Sequence, residues 1–325
     1  TVHLVSLEGR YKDGAFDFQG AGTTDFIRLV SLTSWSFHSV DPAQGFSALL
    51  QRLDREPGSL RVPATGTSAA QAWLAQGHVP VPHALREGDK TVSFYRGPLI
   101  PGAPPDAPTL PARGADELLR YDPTTGLLDV SYASAWELGR LLTLANTRVA
   151  LEVYNWKRKL AQEGNAQSQR SVRGLPARRR RLAARALDAG MPESAQAWFD
   201  GLEVLRGLPF NYLIPDERLL PAESLRFFQL DPVWVECLKD GAMSVGRVTD
   251  TDFREDLGLR SRLATRSAGG VRTGFVMRSS VVSGWPDLLV DAYNERVTDE
   301  AFLPTDKQTL APVRIEKLSK DVLLG

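Results

Sequence analysis

Hydrophobic and polar positions along the chain follow two periods. Across residues 26–37, Ile27, Leu29, Ser31, Thr33, Trp35 and Phe37 alternate with their neighbours in a stretch rich in β-branched and aromatic side chains, the period-two pattern of a strand. Upstream, residues 4–7 and 15–18 flank Asp13 and Gly14, a pair that favours a tight hairpin turn because both central residues tolerate positive φ. Phe46, Leu49, Leu50 and Leu53 fall on one stripe and predict a short amphipathic helix.

The period then changes. Residues 98–113 hold six prolines, and each proline restricts itself and its predecessor, so this segment reads as a linker or an extended crossing strap. Ser134 and Glu137 have capping-box spacing, and Leu138, Leu141, Leu142, Ala145, Val149, Val153, Trp156 and Leu160 then recur at steps of three or four. That predicts one long helix. Residues 164–174 are polar and aperiodic and read as a loop. Pro176 opens a second helix that ends before Gly190, and Pro192 opens a third, carrying Ala195, Trp198, Phe199, Leu202 and Leu205 and closed by Gly207. Asp231 and Pro232 are an N-cap and first helical position for residues 233–240, with Gly241 just past the end. Residues 274–282, 288–293 and 312–318 return to strand patterning. Strands, helices and strands in succession predict an α+β fold. The parts are β-rich over 1–97, a Pro-rich linker over 98–113, helical over 114–247 and β-rich over 248–325, separate or merged into one mixed domain.

Composition narrows the function classes. The 325 residues carry 39 Lys+Arg against 39 Asp+Glu, with 42% hydrophobic and 24% charged residues, which excludes collagen-like, mucin-like and largely disordered chains. A single cysteine, Cys237, excludes an intrachain disulfide framework and a multi-cysteine metal site, and it reads as inert core. No basic-then-apolar leader and no apolar run near the ~20 residues of a membrane span occurs, so the expectation is a cytoplasmic protein or part of a particle assembled there. The start at Thr1 and the end at Leu324-Gly325 suggest a portion of a longer chain. Zero net charge hides a segregation: residues 140–185 carry 12 basic and 2 acidic residues (+10), whereas residues 186–300 carry 12 basic and 19 acidic (−7). Opposed charged faces steer partner subunits.

Candidate chemistry is sparse. The run Arg178, Arg179, Arg180 and Arg181, followed by Arg185, invites a nucleic-acid reading, but on a helix it fans around all faces and no aromatic residues interleave for stacking. A solvated or acid-partnered face fits better. His78 and His83, with Glu87 and Asp89 nearby, do not align as metal ligands, because Pro80 and Pro82 keep the segment extended. Residues 242–246 (AMSVG) imitate a nucleophile elbow, yet a helix precedes Ser244 and no histidine follows His83. Asp216, Glu217 and Glu223 could act as an acid–base pair, with Arg218 and Arg226 as competing salt partners. No glycine-rich nucleotide motif exists, so no cofactor or metal is implied. Trp136, Trp156, Trp198 and Trp234 fall on helical apolar stripes and read as packing.

Four segments together carry a resemblance: 78–97 (HVPVPHALREGDKTVSFYRG), 120–142 (RYDPTTGLLDVSYASAWELGRLL), 209–247 (PFNYLIPDERLLPAESLRFFQLDPVWVECLKDGAMSVGR) and 274–290 (GFVMRSSVVSGWPDLLV). They resemble a family of large, uncharacterised bacterial proteins encoded beside genes for phage-tail-like contractile injection particles. Members continue beyond a segment like 318–324. The resemblance implies a non-enzymatic structural or interaction protein, a component or cargo of such a particle, whose partners are other protein subunits. Contacts are then expected from Arg178, Arg179, Arg181 and Arg185 and from the loop bearing Asp216, Glu217, Arg218 and Arg226. The alternative is a hydrolase-type toxin using Asp216, Glu217 or Glu223 in a cleft lined by Tyr212 and Phe227.

Overall fold

The computed structural model describes residues 1–37, 41–53, 58–63, 68–85, 87–104, 106–172, 190–263, 272–285, 287–293 and 309–325. The fold is α+β. It divides into two compact units, Thr1–Leu49 and Leu50–Gly325, rather than at the Pro-rich segment.

In the first unit β1 (Val2–Ser6) is followed by the hairpin β2 (Tyr11–Lys12) and β3 (Ala15–Phe16), and the chain returns as β4 (Val30–Trp35). β4 pairs antiparallel with β1, with a register shift between Leu4 and Val5. The Asp13-Gly14 turn forms as its residue types dictate, both at positive φ (52° and 81°). It joins β2 to β3, however, and not the longer strands expected on either side. Nothing in residues 1–37 is buried.

The second unit takes up the chain within α1 (Phe46–Arg52) and continues through α2 (Ser68–Ala75), β5 (Val79–Ala84), β6 (Lys90–Tyr95), β7 (Leu99–Ile100), β8 (Arg120–Asp122) and β9 (Leu127–Asp129). Helices α3 (Ser131–Ala145), α4 (Thr147–Val172), α5 (Glu193–Glu203) and α6 (Phe210–Leu213) follow, then β10 (Ser224–Leu230), α7 (Pro232–Met243) and α8 (Asp250–Leu263). The described chain closes with β11 (Thr273–Arg278), α9 (Ser280–Gly284), β12 (Ala292–Tyr293), β13 (Thr309–Leu310), β14 (Glu316–Lys317) and β15 (Val322–Leu324). Two sheets result. One runs β5-β6-β9-β8, with β6 and β9 parallel; the other runs β14-β15-β11-β10-β7, antiparallel throughout. Pro80 and Pro82 sit in β5, an edge strand, where a missing donor is tolerated.

One hydrophobic core runs from Leu60 to Leu324 and includes Leu99, Ala112, Trp136, Trp234 and Val276. Residues 98–113 are therefore no linker. Leu99 and Ile100 pair with β10, and the backbone N–H of Ala112 donates to Asp240 Oδ2 at 2.9 Å, so the prolines stiffen a strap that crosses the core. The long helix is likewise two helices. Asn146 caps both, its N–H donating to Leu142 and Thr143 carbonyls and its Oδ1 accepting from Val149 N at 3.3 Å. Residues 164–172, expected as loop, continue α4. α3 starts before the Ser134 capping box, because Asp129 Oδ1 accepts from Ser131 N at 2.9 Å and Glu137 instead pairs with Arg140. Ser279 caps α9, which replaces the end of the strand predicted over 274–282.

α3 and α7 cross with backbone against backbone. A methyl group on Gly139 would lie 1.9 Å from the Leu238 carbonyl oxygen, and one on Gly241 would lie 1.8 Å from that of Trp136. Helix propensity favours alanine over glycine by about 1 kcal/mol, so these glycines serve the contact and not the helices. We expect Gly139→Ala and Gly241→Ala each to destabilise the protein by about 3 kcal/mol or more, since no side chain can swing aside to relieve the overlap. Gly284→Ala, which meets nothing within 4 Å, should stay within about 0.5 kcal/mol of the parent in denaturant melts.

Candidate interaction surface

The loop between α6 and β10 is held from beneath. Pro209 stands at the N-cap of α6, and the Tyr212 carbonyl accepts from Tyr95 Oη at 2.9 Å. Gly97 lies so close that an added methyl would meet that carbonyl at 2.5 Å. Beyond α6, Asp216 caps a 3-10 turn (Glu217–Leu219), accepting from Arg218 N at 2.8 Å, while its carboxylate also takes Arg218 Nη2 at 2.6 Å. Hydrogen bonding from Arg218 holds the Asp216 carboxyl below its usual range.

Glu223 adopts φ 51°, a left-handed conformation uncommon for its type. Its carboxylate accepts from Ser279 Oγ at 2.6 Å and from Ser280 N and Oγ at 2.8 and 2.6 Å, closing the N-terminus of α9. Partial burial opposes ionisation, but these donors outweigh it and keep the Glu223 pKa low. Arg226 is buried on the core side of β10, in register with Val276, and so is not part of the surface. Arg178, Arg179, Arg181 and Arg185 lie outside the described residues.

Glu217 occupies the rim between two clefts. One, of about 560 Å³, is bounded by Val62, Arg218 and Pro221; the other, of about 270 Å³, by Phe210, Asn211 and Asp321. Both share Arg278, which donates to Asp321 Oδ2 at 3.1 Å and to the Leu220 carbonyl at 3.3 Å. Asp216 and Glu223 line neither cleft. The Tyr212 ring packs edge-on against Tyr95, whereas Phe227 lines a separate apolar cleft of about 580 Å³ with Phe275, Val290 and Val313. The expected acidic cleft walled by Tyr212 and Phe227 is thus not assembled: Asp216 and Glu223 are committed to capping, and the two rings face different surroundings. Sequence reasoning did not single out Arg278, which joins the two clefts; only its place in a strand pattern marked it.

The Ser244 hydroxyl is engaged by its own helix. Ser244 Oγ donates to the Gly241 carbonyl at 2.7 Å, ending α7. Among the described residues no group of three or more His, Cys, Asp or Glu could hold a metal ion, and no helix is long and apolar enough to cross a membrane. No protein-family model matches the chain, no curated protein matches its sequence, and no solved structure matches its fold.

The Glu223 contacts yield a test. Its folded pKa lies below the unfolded one, so its stabilisation is complete above the ordinary glutamate value and is lost as pH falls through the folded value. Glu223→Ala should cost about 1–2 kcal/mol at pH 7, read from urea melts, and the gap to the parent should close in acid.

Proposed function

We propose that this protein is a non-enzymatic interaction subunit of a larger protein assembly, a component or cargo of a phage-tail-like contractile injection system. The injection-system part of this reading comes from the sequence resemblance. The observation that carries the interaction part is the apolar exposure of residues 1–37. Phe26 is fully exposed, and Val30, Leu32 and Trp35 of β4 are 67%, 64% and 50% exposed. β1 and β4 carry no charged residue. A two-stranded ribbon is marginal in water on its own, and natural sheets usually protect their edges with charges or prolines. Exposed apolar side chains in such number fit a surface that another protein covers.

The Glu217 rim supports the same reading. Beside it, the Asp216 and Glu223 carboxylates are held by arginine, hydroxyl and backbone donors on separate partners, which favours a fixed shape over an acid pair shared between them.

The experiment is sedimentation of particles from cells that assemble them. The protein should travel with the sheath and tube proteins, and Leu32→Lys with Trp35→Lys should release it while leaving its circular dichroism unchanged. A parent protein that stays monomeric and apart from assembled particles defeats the proposal.

A further inference from the structure

His78 lies at the corner where α2 meets β5, with no solvent exposure. Its ring packs edge-on against Trp73, 4.6 Å between centroids, and Trp73 stacks on Phe94 at 4.9 Å. Nδ1 lies 3.3 Å from the Trp73 carbonyl oxygen. A carbonyl only accepts, so Nδ1 bears the proton and, in the neutral ring, Nε2 is a bare lone pair. Nε2 has no hydrogen-bond partner and faces Asp129 Oδ2 across 3.7 Å, too far for a hydrogen bond.

The charges around the ring are already matched. From β9, Asp129 accepts from Ser131 N and Oγ with Oδ1, while its Oδ2 takes Nε and Nη2 of Arg120 from β8. Arg96, just after β6, donates to Asp231 Oδ2 at 2.6 Å, and Tyr132 of α3 reaches the same oxygen at 3.3 Å. From α2, which carries no titratable residue, the Trp73 carbonyl faces the ring; the Trp73 indole N–H goes to Asp122 at 2.8 Å. The two buried carboxylates, Asp129 and Asp231, are each already matched by a guanidinium, and Asp122 is only part-buried, so a proton on Nε2 would have to share Asp129 with Arg120. A fully buried cation beyond hydrogen-bond reach of its carboxylate is costly, and the site relieves it by opening to water.

We propose that this corner is an acid-sensitive clasp, which holds α2 and the start of β5 against β9 while the imidazole is neutral and loosens when Nε2 takes up a proton. The direction follows from burial, which depresses the imidazole's proton affinity against the opposing pull of Asp129. The contribution is complete above the ordinary histidine value of about 6.5 and is lost as pH falls below it. Asp129 stays ionised throughout, because despite its burial the Arg120 and Ser131 donors hold its pKa far below that window. The second histidine nearby, His83, bonds Ser93 Oγ at 2.7 Å and supplies a control.

The chain has four histidines, so their ring signals can be followed one by one in NMR titrations. His78 should titrate below about 6.5. Hydrogen exchange of residues 70–84, compared with distant peptides at the same pH, should rise by up to about tenfold per pH unit as one proton is taken up. His78→Gln should abolish that rise and His83→Asn should leave it in place. A His78 that titrates at or above about 6.5, or a parent whose exchange at 70–84 does not rise in acid relative to the distant peptides, overturns the proposal even if His78→Gln fails to fold.

Discussion

The second unit depends on two helices touching through their backbones. Helices usually pack with axes 8–10 Å apart, held off by side chains. At the crossing of α3 and α7, Gly139 faces the Leu238 carbonyl and Gly241 faces that of Trp136, with no room for a methyl group on either. Such closeness gives dispersion contact to both backbones but supplies no direction, and polar groups around it provide that. Asp231 caps α7 through Val233 and Trp234 N–H groups and binds Arg96 and Tyr132; Asp240, in the last turn, takes Trp136 Nε1, Ala112 N and Arg247. Each aspartate therefore serves several elements at once. Buried ion pairs add little net stability, but one partner left alone is strongly unfavourable, so such pairs reject other packings.

The same logic runs outward from α7. Arg247 donates to the Ala112 carbonyl and to Asp256 of α8, and Lys157 of α4 meets Asp256 at 2.7 Å together with the carbonyls of Met243 and Val245. Cations thus close the end of α7 and tie it to α4, α8 and the proline strap. The ribbons of the first unit, by contrast, present apolar rings to solvent.

How much was legible in the sequence follows from what each signal depends on. The α7 start was readable because Asp-Pro acts locally, and the tryptophan stripes were readable because a period of 3.6 survives any tertiary context. The break at Asn146 was not, since the apolar stripe continues through it and the break is made by Asn146 alone, its backbone N–H closing α3 and its Oδ1 opening α4. The tail of α4 was missed for the opposite reason: polar residues carry no period. At the candidate surface, Asp216 and Arg218 were correctly placed side by side, two residues apart. The burial of Arg226 and the union of Glu223 with Ser279 and Ser280 depend on strand register and a contact across 56 residues, which no local pattern encodes.

The two prolines of β5 have a directional consequence. Alternate residues of an edge strand turn their N–H groups toward the neighbouring strand or away from it. Pro80 and Pro82 are two apart, so both deplete one side, and intact pairing with β6 makes that the outer side. The outer rim of this sheet can still offer carbonyls but has lost two consecutive outward donors, so a newcomer strand would find half a ladder. Growth of the sheet by addition of further chains is blocked at that rim, while β1 and β4, free of proline, keep their full complement of donors.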